Sequence, residues 1–268
     1  MKKDCINFQV LLSCMFQTYM AIVRKSNLQN VSTIVVNQCN VQVEQHKKIG
    51  DLHWIDSPSR GLSVSRNLAI ANASADVCVI SDDDEIFKDN LEQIIQQGYA
   101  IYPQADIIIF NNPVRKKNIS KKSCKLSKYD LLKVASRQIS FKLDKVRGKI
   151  EFDKLLGAGT GNGGGEENKF LLDCYKSGLQ IYFVPLTISS HVKRPSTWFF
   201  GYDANYFYNR GKSTRYIFGF WFACLYGGYF LVAKWKKYNQ TISVFQAAKA
   251  LFSGIWNDEL SCNRLVQR

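Results

Sequence analysis

Four stretches of this chain are apolar at almost every position: "VLLSC" near the start, then "TIVV", "VCVI" and "DIIIF". A strand with one wet face alternates polar and apolar residues. A strand that is apolar throughout must be covered on both faces, as in a parallel sheet. Helical periods lie between these stretches. Arg60–Ala75 places Leu62, Arg66, Ile70 and Ala73 at helical spacing, and Asp89–Tyr102 opens on an acid and carries Leu91, Ile94 and Ile95. Asn7–Phe16, Val31–Asn40, Val77–Ser81 and Ala105–Asn112 therefore read as strands. Strands alternating with helices predict an α/β layered sheet with helices on both faces. Ligands of such sheets bind at the carboxyl ends of the strands.

The third apolar run ends on four adjacent carboxylates, Asp82, Asp83, Asp84 and Glu85. Unpaired negative charge is costly at the end of a buried strand. The acids can open a helix, where the dipole favours them. Alternatively, two carboxylates one residue apart can hold a hard divalent cation that takes substrate phosphate oxygens into its shell. The second run ends on Asn37 and Gln38, in the same crevice.

Later, six glycines stand in the nine residues Gly157–Gly165. Such a loop lets backbone approach a ligand closely. Glu166 and Glu167 then open a helix with Phe170, Leu171, Cys174 and Tyr175 as its apolar face, and "LQIYFVP" returns as a strand. The two glutamates are first-turn acids or a general base. His191 closes "LTISSH"; a lone histidine is more often structural than a ligand. There is no G-x-S-x-G, no Walker loop and no G-x-G-x-x-G after a first strand. The eight cysteines form no C-x-x-C pair, which reads as reduced, mostly buried thiols in a cytosolic protein, and the three histidines are not at zinc-ligand spacing. Met1–Lys3 ahead of "LLSC" looks loosely like a lipoprotein leader, but Asp4, Asn7 and Gln9 interrupt it; a first strand is the better reading.

The net charge of +14 is uneven. Residues 115–149 carry 13 Lys and Arg against Asp130 and Asp144, and residues 193–237 carry 8 against one acid. The first of these segments has a helix-like middle at "KYDLLKVASRQISFKL". Within the second, Ile217–Ala233 is uncharged over 17 residues and flanked by Lys212, Arg215, Lys234, Lys236 and Lys237. A membrane span needs about 20 apolar residues, so this stretch reads as lying in an anionic membrane interface. A nucleic-acid-binding protein could use Lys116–Lys149, but the body is acidic and the aromatics cluster elsewhere, so no nucleic-acid partner is expected.

In their order, these elements resemble the family 2 glycosyltransferases of the GT-A fold over nearly the whole chain. More narrowly, they resemble bacterial members that build capsular, exopolysaccharide or O-antigen repeat units. The resemblance rests on "VLLSCMFQ", "IVVNQCN", "RGLSVSRNLAIANASADVCVISDDDEIF", "ADIIIFNN", "GEENKFLLDCYKSGLQIYFVP" and "STWFFGYDANYFYNRG". That family has an aspartate metal motif, a Glu-Asp base motif, a glycine loop and a late histidine. The resemblance implies that Asp82 and Asp84, with His191, hold Mn²⁺ or Mg²⁺, and that Asp83 can stand in, since three aspartates leave the register open. It implies donor contacts from Ser13, Asn37, Gln38, Arg66, Asn67, Asp82, Asp83, Gly163 and Gly164. Asn37 stands where most relatives have an acid. Glu167 is implied as the base, in the place of the usual Asp, with Glu166 beside it.

The expectation is thus a GT-A, Rossmann-like mixed sheet plus a C-terminal helical membrane-associating region. Residues 1–112 would form the donor half, 113–195 the acceptor half and 196–268 the membrane-associating part. The expected partners are a nucleotide-sugar donor, a lipid-linked saccharide acceptor and an anionic membrane surface at the cytoplasmic face. A nucleotidyltransferase on a similar sheet is the rival enzyme reading.

Overall fold

The computed structural model describes residues 6–111, 119–192, 201–257 and 260. Met1–Lys3, Cys5, Cys262, Lys116 and all of "STWFF" lie outside the described residues. The chain divides into two compact units. One holds residues up to 60, 64–152 and 170–194; the other holds 61–63, 153–169 and 195 onward.

The first unit is built on a sheet. β1 (Phe8–Met15) sends Leu11 into one core cluster and Val10 and Leu12 into another, so both its faces are covered. After a short α1 (Ala21–Lys25), β2 (Thr33–Gln38) lies parallel to β1, buried along its whole length. β3 (Gln45–Ile49) and β4 (Leu52–Ser57) form a hairpin; β4 runs parallel to β2, while all five residues of β3 are exposed. Neither strand stood out in the sequence, because neither carries an apolar run. α2 (Leu62–Asn72) then leads to β5 (Val77–Asp82), parallel to β1. β6 (Glu85–Phe87), α3 (Leu91–Ile101) and β7 (Ile107–Ile109) follow.

The basic segment departs from expectation. The helix-like middle at 128–143 is not a helix. β8 (Cys124–Lys125) precedes it; the stretch itself holds two 3-10 turns, at Asp130–Lys133 and Ser136–Gln138, and then β9 (Ile139–Lys142), which runs into α4 (Leu143–Val146). β9 is antiparallel to both β5 and β7. Two flanking ladders satisfy its backbone, and Ile139 and Phe141 enter the core on one face; that outweighs a weak helical period.

α5 (Glu166–Lys176) leads to β10 (Ile181–Phe183), parallel to β7, and to β11 (Ser189–His191), antiparallel to β6. Phe170, Leu171 and Cys174 are buried as expected, but Tyr175 is exposed: it sits at the edge of the helix's apolar face. The nine-stranded order is β3-β4-β2-β1-β5-β9-β7-β10-β8, with β11-β6 a separate ribbon. One face is covered by Ala69, Ile70 and Ala73 of α2 and by α5, the other by Ile22 and Val23 of α1 and by Leu91, Ile94 and Ile95 of α3. This is the mixed sheet with helices on both faces.

The second unit contains α6 (Ala204–Phe218), α7 (Phe220–Tyr238) and α8 (Val244–Trp256) around Phe207, Ala223, Phe230, Tyr238, Ala247 and Leu251. Asp203 caps α6 by accepting from the Tyr206 N–H at 2.7 Å. Ser243 and Gln246 form a capping box on α8. The apolar stretch 217–233 is not one element. Gly219, at φ 86°, ends α6 and starts α7. Among the described residues no helix is long and apolar enough to cross a membrane.

Candidate active site

The parallel ladders set the site. Ser13 of β1 pairs in register with Asp82 of β5, Cys14 with Asn37 of β2, and Asn37 with Asp56 of β4. The carboxyl ends of four strands thus bring Ser13, Asn37, Asp56 and Asp82 to one edge. Ser13 is buried, and its hydroxyl accepts from Ser65 Oγ at 2.9 Å. Asn37 donates to Asp56 Oδ1 at 2.7 Å and to the Gln17 carbonyl at 3.2 Å, and accepts from the Gln17 N–H at 2.9 Å. Gln38 donates to the Ser59 carbonyl at 3.0 Å. The acid expected on β2 is absent, but an acid stands one strand over, against Asn37. Asp56 was missed because its strand was missed.

Asp82 is held from two sides. Arg66 of α2, with no exposed surface, gives Nη2 to Asp82 Oδ1 at 2.8 Å. Ser136 gives its hydroxyl to Oδ2 at 2.8 Å. Burial alone would raise the Asp82 pKa; the Arg66 guanidinium, the Ser136 hydroxyl and the charge of Arg137 more than reverse it and hold the carboxyl below its usual range. Arg66 thereby serves the aspartate, and its guanidinium lies 5.2 Å over the Phe152 ring. Asn67 spends its amide on Phe152, donating to the carbonyl and accepting from the N–H, each at 2.8 Å. Both residues of the "RN" pair therefore act as supports. Arg137 was also missed. Its Nε and Nη1 are buried with no hydrogen-bond partner among the described residues, and its charge acts on Asp82.

Asp83 is half-buried, its carbonyl accepts from Lys25 Nζ at 2.9 Å, and burial together with Asp84 and Asp82 raises its pKa. Asp84 meets the late histidine. β11 lies against β6 with His191 opposite Glu85, and Val192 N–H donates to the Asp84 carbonyl at 2.9 Å. That ribbon places His191 Nδ1 3.3 Å from Asp84 Oδ2, close but without hydrogen-bond geometry, and Asp84 Oδ1 is buried with no partner among the described residues. Two donor atoms on one octahedral Mg²⁺ or Mn²⁺, each about 2.1 Å away, sit about 3 Å apart. The pair therefore fits a hard divalent cation. No group of three His, Cys, Asp or Glu among the described residues is arranged to hold a metal. An ion here would draw its remaining ligands from water and a bound phosphate, as Mg²⁺ usually does. Glu85 turns the other way, into the protein. It is fully buried and accepts from Ser189 Oγ at 3.2 Å, and burial, then repulsion from Asp82, pushes its pKa well up.

In the second unit the glycine loop folds on itself, with Gly157 N–H donating to the Gly163 carbonyl at 3.0 Å. Gly157 has φ 102°, and a Cβ there would lie 3.3 Å from Ser63 Oγ and 3.4 Å from the Glu166 side chain, so glycine is required. Glu166 is buried and its Oε2 accepts from the Gly165 N–H at 3.0 Å, closing the loop that carries Gly163 and Gly164. Glu167, next on α5, is half-buried. The two acids differ: Glu166 ties the loop, while Glu167 is the less buried of the two.

A cavity of about 470 Å³ lies elsewhere, lined by Asp76, Tyr99, Lys142 and Arg147 at the amino ends of β1 and β5. Lys142 and Arg147 already donate to the Pro103 and Ala73 carbonyls, and ligand sites of this sheet class lie at the opposite edge. The buried Cys14 and Cys78 thiols are pushed up by burial, Cys78 to about 12, which leaves them un-ionised and poor nucleophiles.

A sheet with a parallel half ending in an aspartate cluster, finished by antiparallel strands and a histidine-bearing ribbon, is the GT-A fold. Solved structures of Staphylococcus aureus TarS share it. Residues 1–349 of TarS in complex with UDP-GlcNAc align with a TM-score of 0.62 and 12% identity over 93% of this chain and 81% of that one. The same fragment with UDP gives 0.56 and 11% over 93% and 80%. The longer TarS structure gives 0.52 and 11% over 77% and 38%. No protein-family model matches the chain, and no curated protein does.

Proposed function

We propose that the chain is an inverting, metal-dependent glycosyltransferase. It moves a sugar from a nucleotide-sugar donor to a lipid-linked saccharide in the synthesis of a bacterial surface polysaccharide of the capsule, exopolysaccharide or O-antigen kind, at the cytoplasmic face of the membrane. The observation that carries this reading is the half-buried Asp84–His191 pair, with one buried, orphaned carboxylate oxygen, at the strand ends of a GT-A sheet. The TarS complexes with UDP-GlcNAc and UDP support a nucleotide-sugar donor.

Asp84 and His191 would hold Mn²⁺ or Mg²⁺, and when bound the ion neutralises charge on the leaving diphosphate. Asp82, fixed by Arg66 and Ser136, orients the donor. The positive charge of Arg137, beside Asp82, favours the diphosphate. The Asn37–Asp56 pair meets the base. Glu167 takes the proton of an acceptor hydroxyl. That oxygen bonds to the anomeric carbon on the face opposite the diphosphate; the carbon–oxygen bond to phosphate breaks, its electrons leave with the nucleoside diphosphate, and configuration inverts.

A panel of nucleotide sugars with Mn²⁺ or Mg²⁺, scored for nucleoside diphosphate release, tests this. Release with at least one donor is expected, lost in chelator and in Asp84→Ala. Full turnover in chelator would sink the metal assignment; diphosphate release from a nucleoside triphosphate alone would favour a nucleotidyltransferase.

A further inference from the structure

The outer face of α7 is apolar along most of its length. Trp221 and Leu225 are each 79% exposed, Tyr229 67% and Val232 81%. These positions follow one another at the i, i+4, i+8, i+11 spacing of a single helix face, a stripe about 16 Å long at the helical rise. The opposite face of α7 is well packed, since Ala223, Gly227, Phe230 and Leu231 are buried. The stripe continues onto α8: Trp256, 76% exposed, lies 5.6 Å from the Phe220 ring, which lies 5.3 Å from Trp221. Phe245, on the same unit, is also exposed. Large contiguous apolar surface of this kind marks a contact with something.

Charge says with what. From Ala204 to Asn257 there is no Asp or Glu, while Arg210, Lys212, Arg215, Lys234, Lys236, Lys237 and Lys249 are all cationic. Lys236 and Lys237 are exposed in the last turn of α7, where the apolar stripe ends. A protein partner would be expected to meet a mixed-sign rim; a helical stretch without a carboxylate from 204 to 257 suits a uniformly negative plane. Two tryptophans and a tyrosine on the outer face fit the headgroup level, where amphipathic rings collect.

We infer that the α7 stripe, joined by Trp256, seats on an anionic lipid surface with its side chains in the headgroup layer and Lys236 and Lys237 on the lipid phosphates. This deepens the membrane part of the proposed function and names the face responsible. It does not depend on turnover.

The test uses the full chain with vesicles of phosphatidylglycerol and phosphatidylethanolamine, against phosphatidylcholine alone. The protein should float with the anionic vesicles at low salt and be released at high salt, and brominated acyl chains should quench its tryptophan fluorescence. Lys236→Gln with Lys237→Gln should weaken binding roughly five-fold per lysine. Trp221→Ser with Val232→Ser, both at exposed positions, should abolish quenching while circular dichroism stays unchanged. Folded wild-type protein that ignores anionic vesicles at low salt overturns the inference. So does self-association that the Trp221→Ser and Val232→Ser changes abolish, which would make the occupant a second copy. Donor binding followed on the same sample separates the two readings: loss of one function with the other intact overturns only that one.

Discussion

Glu85 is the carboxylate with most to lose from being charged. It is fully buried beside Asp82 and Asp84, with the Ser189 hydroxyl donating to its Oε2 and no partner for its Oε1 among the described residues. Its folded pKa lies well above the ordinary value of about 4.3. A raised carboxyl gives stability that is fully present below the unfolded value and is lost as pH rises through the folded one. Glu85→Gln keeps an acceptor for Ser189 and removes the charge. It should raise Tm at pH 7–8 and change little near pH 4. Thermal melts at both values check this; equal shifts would assign the effect to packing. Glu167→Gln should retain donor binding and lower turnover roughly 10²–10⁴-fold, the usual share of a general base, whereas Glu166→Gln should disturb the glycine loop and affect KM more than kcat. Steady-state kinetics decide, and a dead Glu166→Gln beside an active Glu167→Gln would reverse the roles. The Asp82–Asp84 cluster could be singled out in one dimension because adjacent acids end an apolar run, whereas His191 came forward only through the family resemblance. Asp56, Ser136 and Arg137 were not legible, because what qualifies them is a strand register or a turn that only the fold supplies.

Strands covered on both faces were legible for the same reason that they are stable: β1, β2, β5 and β7 carry their burial in their composition. β9 was not, since Ile139 and Phe141 alternate over only four residues, too few to outweigh the neighbouring helical spacing. The uncharged stretch 217–233 misled in another way, because hydropathy does not see a φ of 86° at Gly219. The packing of α6 on α8 was equally hidden. A methyl at Gly254 would overlap the Tyr208 carbonyl oxygen, and one at Gly211 the Leu251 carbonyl oxygen. The two helices thus meet backbone to backbone. Gly254→Ala replaces a poor helix former with the best one, yet it should destabilise by about 1–3 kcal/mol, the range for overpacking. Chemical denaturation measures this; a stabilised variant would show that the helices can separate without cost.

The chain segregates charge along its length: the cationic excess sits in residues 115–149 and 193–237, while 1–114 and 150–192 are slightly acidic. Bulk net charge therefore says little about it. The proposed metal ligand Asp84 lies in the slightly acidic part, and the proposed lipid-facing stripe in a basic one. The sheet carries a further consequence of that distribution. A nine-stranded sheet has two open margins, each a row of unpaired backbone groups that another chain could zip onto. One margin is β3, whose five exposed residues include Lys47 and Lys48. The other is β8, only two residues long and ending in Lys125. A foreign strand docking on either side would have to bury or displace an ammonium group. Lys47→Val with Lys48→Val should leave donor binding intact while light scattering reveals growing aggregates, so that part of this protein's positive charge is a guard on its own solubility.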